Sequence, residues 1–111
     1  MKLSTLLLSG LLPASSFAVI QLRGFSGLDC EGDLVLDFDL PNVNQCNNFE
    51  DPPTIRSARA SGLAGCIVTL YRTLNCDLGP GGMGAELFLD EDGVCEDAMP
   101  EFRVRSYEVQ C

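Results

Sequence analysis

The sequence has no histidine, no tryptophan and a single lysine, Lys2, among its 111 residues. Without histidine there is no Ser-His or Cys-His nucleophile pair, no imidazole metal ligand and no proton shuttle working near neutral pH. Without lysine beyond Lys2 there is no Schiff base. A carboxylate pair, as in glycoside hydrolysis, is the one catalytic device left in reach, and two Tyr with no Trp offer few surfaces on which a sugar ring could stack. The chain is therefore not expected to be an enzyme or to carry a cofactor. Basic charge is scarce too: seven Lys plus Arg stand against sixteen Asp plus Glu, for a sequence pI near 4.1. So acidic a protein repels phosphate backbones and anionic lipid head groups, which argues against nucleic-acid and membrane partners. The length allows one small domain.

The first eighteen residues read as a leader. Met1-Lys2 gives a positive start, Leu6 to Leu12 an apolar run, and Ser16-Phe17-Ala18 a small-x-small cleavage site. A membrane span needs about 20 consecutive apolar residues, and Ser9, Gly10, Pro13, Ser15 and Ser16 interrupt this one. A signal peptide over 1–18 and a secreted, extracellular mature chain over 19–111 are expected. The mature chain retains six Arg and no Lys against all sixteen carboxylates, a formal charge of −10.

All six cysteines, Cys30, Cys46, Cys66, Cys76, Cys95 and Cys111, follow the leader in a chain bound for an oxidising compartment. Three disulfides are expected. Zinc is disfavoured because no close C-x-x-C pair occurs. A domain of this size buries only about 60 to 65% of its unfolded surface, so disulfides worth about 2 to 4 kcal/mol each matter to its stability.

An internal repeat narrows the pairings. Phe25, Leu28, Asp29 and Cys30 align with Tyr71, Leu74, Asn75 and Cys76; further on, Cys46 and Thr54-Ile55-Arg56-Ser57 align with Cys95 and Arg103-Val104-Arg105-Ser106. Extra residues fall in the Gly-rich stretch Gly79 to Gly84. The chain thus reads as two copies of one unit, about 19–62 and 63–111. If each copy closes on itself, Cys30 pairs with Cys46 and Cys76 with Cys95, leaving Cys66 to pair with Cys111.

Each copy reads as β. Leu34, Leu36, Phe38 and Leu40 alternate with Val35, Asp37 and Asp39, the period of two that turns apolar side chains to one face. Ala85, Leu87 and Leu89 against Glu86, Phe88 and Asp90 is a weaker counterpart. Cys66 to Tyr71 and Phe102 to Val109 are rich in β-branched and aromatic residues, and Pro52-Pro53 and Pro80-Gly81-Gly82 read as loops. No segment after residue 18 shows a helical period, so no helix beyond a turn or two is expected. Short strands in a duplicated unit suggest two Greek keys packed as a sandwich.

Gly65-Cys66-Ile67-Val68-Thr69-Leu70-Tyr71 and Thr54-Ile55-Arg56-Ser57 resemble βγ-crystallin motifs: an aromatic ending the first strand, a Gly seven residues later, and a Ser-Ile-Arg-like final strand. Phe25 with Gly32 fits that spacing. Tyr71 departs from it, because Leu78 holds the expected position and Gly79 follows. The cysteine placement and the ending Arg105-Ser106-Tyr107-Glu108-Val109-Gln110-Cys111 resemble small secreted cysteine-rich fungal proteins of this fold, a group that includes killer-toxin-like and effector-candidate proteins. The resemblance implies an all-β fold of two Greek-key motifs in a βγ-crystallin-like sandwich stapled by three disulfides. It also implies a monomeric binding protein that meets an extracellular protein or glycan.

Many βγ-crystallin domains hold calcium on two adjacent Asp or Asn followed, after two residues, by Ser or Thr and Ser. Here Glu50-Asp51-Pro52-Pro53-Thr54-Ile55 matches poorly and the second copy not at all, and Asp90-Glu91-Asp92 reads as a solvated loop, so no metal is expected. The candidate binding residues are Arg56, Arg103 and Arg105. Arg103 and Arg105 lie two apart on one expected strand and so share a face, and Arg56 is the repeat equivalent of Arg105. The plainer alternative pairs these arginines with Asp37 and Asp39 across strands. The expected function is binding, effector-like or toxin-like. Two other roles stay open: an extracellular hydrolase inhibitor presenting the loop from Asp77 to Gly84, and a structural or stress-protective wall-associated protein.

Overall fold

The computed structural model describes residues 19–111 apart from Met83; the expected signal peptide, 1–18, lies outside the described residues. The described chain is mostly β. Its strands are β1 (Val19–Phe25), β2 (Leu34–Pro41), β3 (Gln45–Asn48), β4 (Thr54–Ser61), β5 (Ile67–Tyr71), β6 (Ala85–Leu89), β7 (Glu96–Arg103) and β8 (Ser106–Gln110). Single 3-10 turns cover Leu28–Cys30, Leu74–Cys76 and Pro80–Gly82.

The strands form two antiparallel four-stranded sheets, ordered β2-β1-β4-β7 and β3-β8-β5-β6. Numbering shifted by four converts one order into the other, end for end. In each sheet three strands come from one half of the chain and the third strand of the other half completes the edge. A common core lies between the sheets, with Ile20, Leu22, Leu40 and Ile55 from the first and Val68, Leu70, Leu89 and Val109 from the second. Burying each such side chain is worth about 1.5 to 3 kcal/mol. Phe49 joins the layers: its ring centroid lies 5.1 Å from Phe38 on one side and 5.1 Å from Tyr107 on the other.

Local chemistry repeats between the halves. The turn Leu28–Cys30 holds Asp29 and Cys30 at positive φ, as Leu74–Cys76 holds Asn75 and Cys76. Asp and Asn tolerate that region better than most residues. One buried serine clamps each turn. Ser57 Oγ accepts from Cys30 N–H at 2.8 Å and donates to Gly27 C=O at 2.5 Å, while Ser106 Oγ accepts from Cys76 N–H at 3.0 Å and donates to Thr73 C=O at 2.6 Å. The exchanged strands complete the pattern, with Asp97 of β7 accepting from Asp29 N–H and Asn48 of β3 accepting from Asn75 N–H.

Three disulfides form, but two differ from the expected pairing. Cys30 bonds to Cys95 and Cys46 to Cys76; Cys66 bonds to Cys111 as expected. The cause is the strand exchange: β3, carrying Cys46, leaves its own half and pairs with β8, beside the turn that ends in Cys76, and Cys95 enters β7 beside the turn that ends in Cys30.

Three strand expectations also shift. Leu36 and Leu40 are buried, but Leu34 is half exposed, because a bulge between Gly24 and Phe25 puts Leu34 opposite Phe25 and breaks the alternation. Phe38 lies on an edge strand and stays 45% exposed although its ring meets Phe49. The stretch Phe102 to Val109 is not one strand: β7 ends at Arg103, and the chain crosses to the other sheet at Val104-Arg105.

Candidate binding cleft

That crossing builds an open surface lined by arginines. Val104 is fully buried, and its N–H donates to Pro53 C=O at 2.8 Å. The Arg105 N–H donates to Tyr71 C=O at 2.9 Å, and the Arg105 C=O accepts from Phe49 N–H at 3.0 Å. With the link fixed on both sides and its apolar side chain inward, Arg103 and Arg105 are turned outward. Arg72, the residue after Tyr71 at the end of β5, is brought to the same place. An open cleft of about 290 Å³ results, lined by Arg72, Pro100, Glu101, Phe102, Arg103 and Arg105.

The guanidinium groups differ in how far they are already engaged. Arg72 Nε lies 2.5 Å from Glu86 Oε2. Arg103 donates from Nε to Pro52 C=O at 3.1 Å, which leaves its terminal nitrogens free to donate elsewhere. Arg105 has no ion-pair partner among the described residues. Arg56 lies beside the cleft rather than in it, 3.8 Å from the Glu101 carboxylate. Three arginines and one already paired carboxylate thus make a cationic pocket on an acidic protein.

Of the three arginines singled out in the sequence, Arg103 and Arg105 share this cleft and Arg56 touches its wall, but the pair does not share one strand: Arg103 ends β7 and Arg105 lies in the link to β8. Their proposed pairing with Asp37 and Asp39 does not form. Asp37 lies directly opposite Arg23 and pairs with it at 3.3 Å, and β2 and β7 occupy opposite edges of the first sheet. Arg72 and Glu101 escaped sequence reading. The one available signal was that Arg72 aligns with Ser26 and is a cation peculiar to the second half.

Below Arg72 the Tyr71 hydroxyl donates to Glu108 at 2.7 Å. Burial first, then that hydrogen bond and the negative charge of Glu108, push the Tyr71 pKa up to about 12. In the first half the corresponding residues are Phe25 and Arg59, whose guanidinium carbon lies 5.5 Å from the ring centroid.

Asp92 accepts from Leu63 N–H at 2.8 Å and so fixes a loop. Among the described residues no group of three or more His, Cys, Asp or Glu side chains is arranged to hold a metal ion, and no helix is long and apolar enough to cross a membrane. The loop from Asp77 to Gly84 begins beside the Cys46–Cys76 disulfide. It is closed by Gly84 N–H donating to Leu78 C=O and Arg72 N–H donating to Gly84 C=O, and it holds Leu78 out to solvent at 53% exposure.

Compared with known proteins, the chain matches no family model, and neither a curated protein nor a solved structure is significantly similar to it.

Proposed function

We propose that this chain is a secreted, disulfide-stapled binding protein of effector-like or toxin-like action, not an enzyme, and that it meets an extracellular target at the Arg72, Arg103, Arg105 cleft. We also read its two sheets as paired Greek keys of the βγ-crystallin type, built by duplication. The shifted strand orders and the twin serine clamps support that reading.

The observation that carries the functional reading is Arg105, a cation without an ion-pair partner among the described residues, held in a cleft with two more arginines on a chain of formal charge −10 once the leader is removed. A positive site kept against so large an opposite charge favours an anionic contact, and paired guanidiniums recognise carboxylates with defined geometry. The test applies purified 19–111 to plant tissue and to competing microbes, beside the R103A/R105A variant with the same disulfides. A response to the parent protein that the variant loses supports the reading. Equal responses remove the cleft from it, and no response to either favours a structural role in the wall.

A second reading rests on Leu78. An exposed apolar side chain on a loop closed at its base and anchored by Cys46–Cys76 is what a hydrolase inhibitor presents to a protease. Loss of protease inhibition on Leu78→Asp, with the R103A/R105A variant still inhibiting, would select it.

A further inference from the structure

The cleft lies against an unpaired sheet edge. β7 is the last strand of the first sheet, hydrogen-bonded to β4 alone. Along that edge Met99 is 76% exposed and Pro100 is exposed beside it, both next to the arginines. The surface is therefore a short apolar step leading into a cationic pocket, on the irregular stretch of β7 where its register with β4 slips between Phe102 opposite Ile55 and Asp97 opposite Ser57.

Three anionic ligands deserve comparison. A polyanion such as a nucleic acid or polyphosphate would bring many charges close to a protein of formal charge −10 and be repelled everywhere except at the cleft. A uronic-acid sugar needs an exposed ring on which to lie, and the aromatic at this cleft, Phe102, is only 5% exposed. A peptide carboxylate meets neither obstacle. It brings one localised charge, its two oxygens match the terminal nitrogens of a guanidinium, and a neighbouring apolar side chain can cover Met99 and Pro100. Pro100 has no N–H and so interrupts any continuous ladder along the edge, which leaves side chains to supply recognition.

We infer that the cleft takes an Asp or Glu side chain from an extended segment of a partner protein, seated between Arg103 and Arg105 with an adjacent apolar residue on Met99 and Pro100. This rests on the reading of the cleft as the contact site, and it adds the chemistry of the partner.

The probe is a blocked tripeptide, acetyl-Leu-Glu-Leu-amide, titrated into the folded chain 19–111 while the arginine Nε–H NMR signals are followed. Its Gln counterpart, galacturonic acid and inorganic phosphate are titrated in parallel. The expected result is saturable movement of the Arg103 and Arg105 signals with the Glu peptide only, and affinity lower by about tenfold or more in Arg105→Gln, the loss expected for a charge-assisted hydrogen bond. Equal binding of the Gln peptide, tighter binding of galacturonic acid or phosphate, an unchanged Arg105→Gln affinity or no saturation would each overturn the inference. The R105Q protein is also applied to the responding tissue or microbe. Failure of the peptide together with loss of response in the variant refutes only the peptide chemistry, whereas a full response in the variant refutes the cleft as the contact site. Unchanged disulfide mapping and circular dichroism keep the variant comparable with its parent.

Discussion

Tyr71 and Glu108 are joined by a 2.7 Å hydrogen bond at the place where Phe25 and Arg59 meet in the other half. The same two positions, one ending the first strand of a half and one in its last strand, carry a phenol with a carboxylate in one case and an aromatic ring with a guanidinium in the other. Because the Tyr71 pKa is raised from 10.0 to about 12, its neutral form is favoured by folding. Burial and the Glu108 carboxylate disfavour the phenolate in the folded state, so stability holds below pH 10 and falls as pH rises from 10 to about 12. Denaturant melts across that window should show the decline in the parent protein and a flatter profile in Tyr71→Phe, which at neutral pH is weaker by about 1 kcal/mol for the lost hydrogen bond. Parallel profiles would contradict the assignment.

The serine clamps make a matched prediction. Ser57 and Ser106 are both fully buried, and each satisfies one N–H and one C=O of the turn beside it. Replacing either with Ala strands both groups, at about 1 to 3 kcal/mol. Equilibrium unfolding should give losses of similar size for Ser57→Ala and Ser106→Ala. A large loss in one and none in the other would mean that the two halves do not use this residue alike.

Gly32 and Gly79 should not behave alike. Both have positive φ, but a Cβ at Gly32 would come within 2.7 Å of Ser26 Oγ and 3.0 Å of Gly27 N, whereas at Gly79 its nearest neighbour is Thr73 Cγ2 at 3.6 Å. Alanine at Gly79 meets the backbone penalty of about 1 kcal/mol, and alanine at Gly32 adds a steric clash with the turn. Thermal melts should rank Gly32→Ala as the more damaging.

Much of this arrangement was visible in local sequence and much was not. The equivalence of Cys30 with Cys76 and of Ser57 with Ser106, and several inward-facing positions such as Leu36, Leu40, Leu87 and Leu89, follow from spacing, since a repeat offset and a two-residue period can be read along the chain; that each serine clamps the turn of its own half shows only in the fold. Strand exchange is not local. Nothing in Gln45–Asn48 or Glu96–Arg103 says which sheet each joins, and that choice decides whether Cys30 finds Cys46 or Cys95. The crossing at Val104-Arg105 was hidden for a related reason: both flanking segments are β, and a buried Val fits a link between sheets as well as it fits a strand. Arg103 and Arg105 were legible as a pair, while Arg72 reaches them only through the Arg105 to Tyr71 hydrogen bond.

The proposed secretion predicts a definite mass. The protein recovered outside a producing cell should begin at Val19 and weigh as 19–111 less six hydrogens, with no N-glycan because no Asn-x-Ser/Thr sequon is present. A retained leader or a free thiol would contradict the account.

The placement of the cleft depends on β7 standing in the first sheet and β5 in the second, and therefore on the exchange of third strands that the disulfides record. Peptide mapping of the unreduced protein tests this most directly. The account predicts links Cys30–Cys95, Cys46–Cys76 and Cys66–Cys111; links Cys30–Cys46 and Cys76–Cys95 would mean that each half closes on itself and would contradict it.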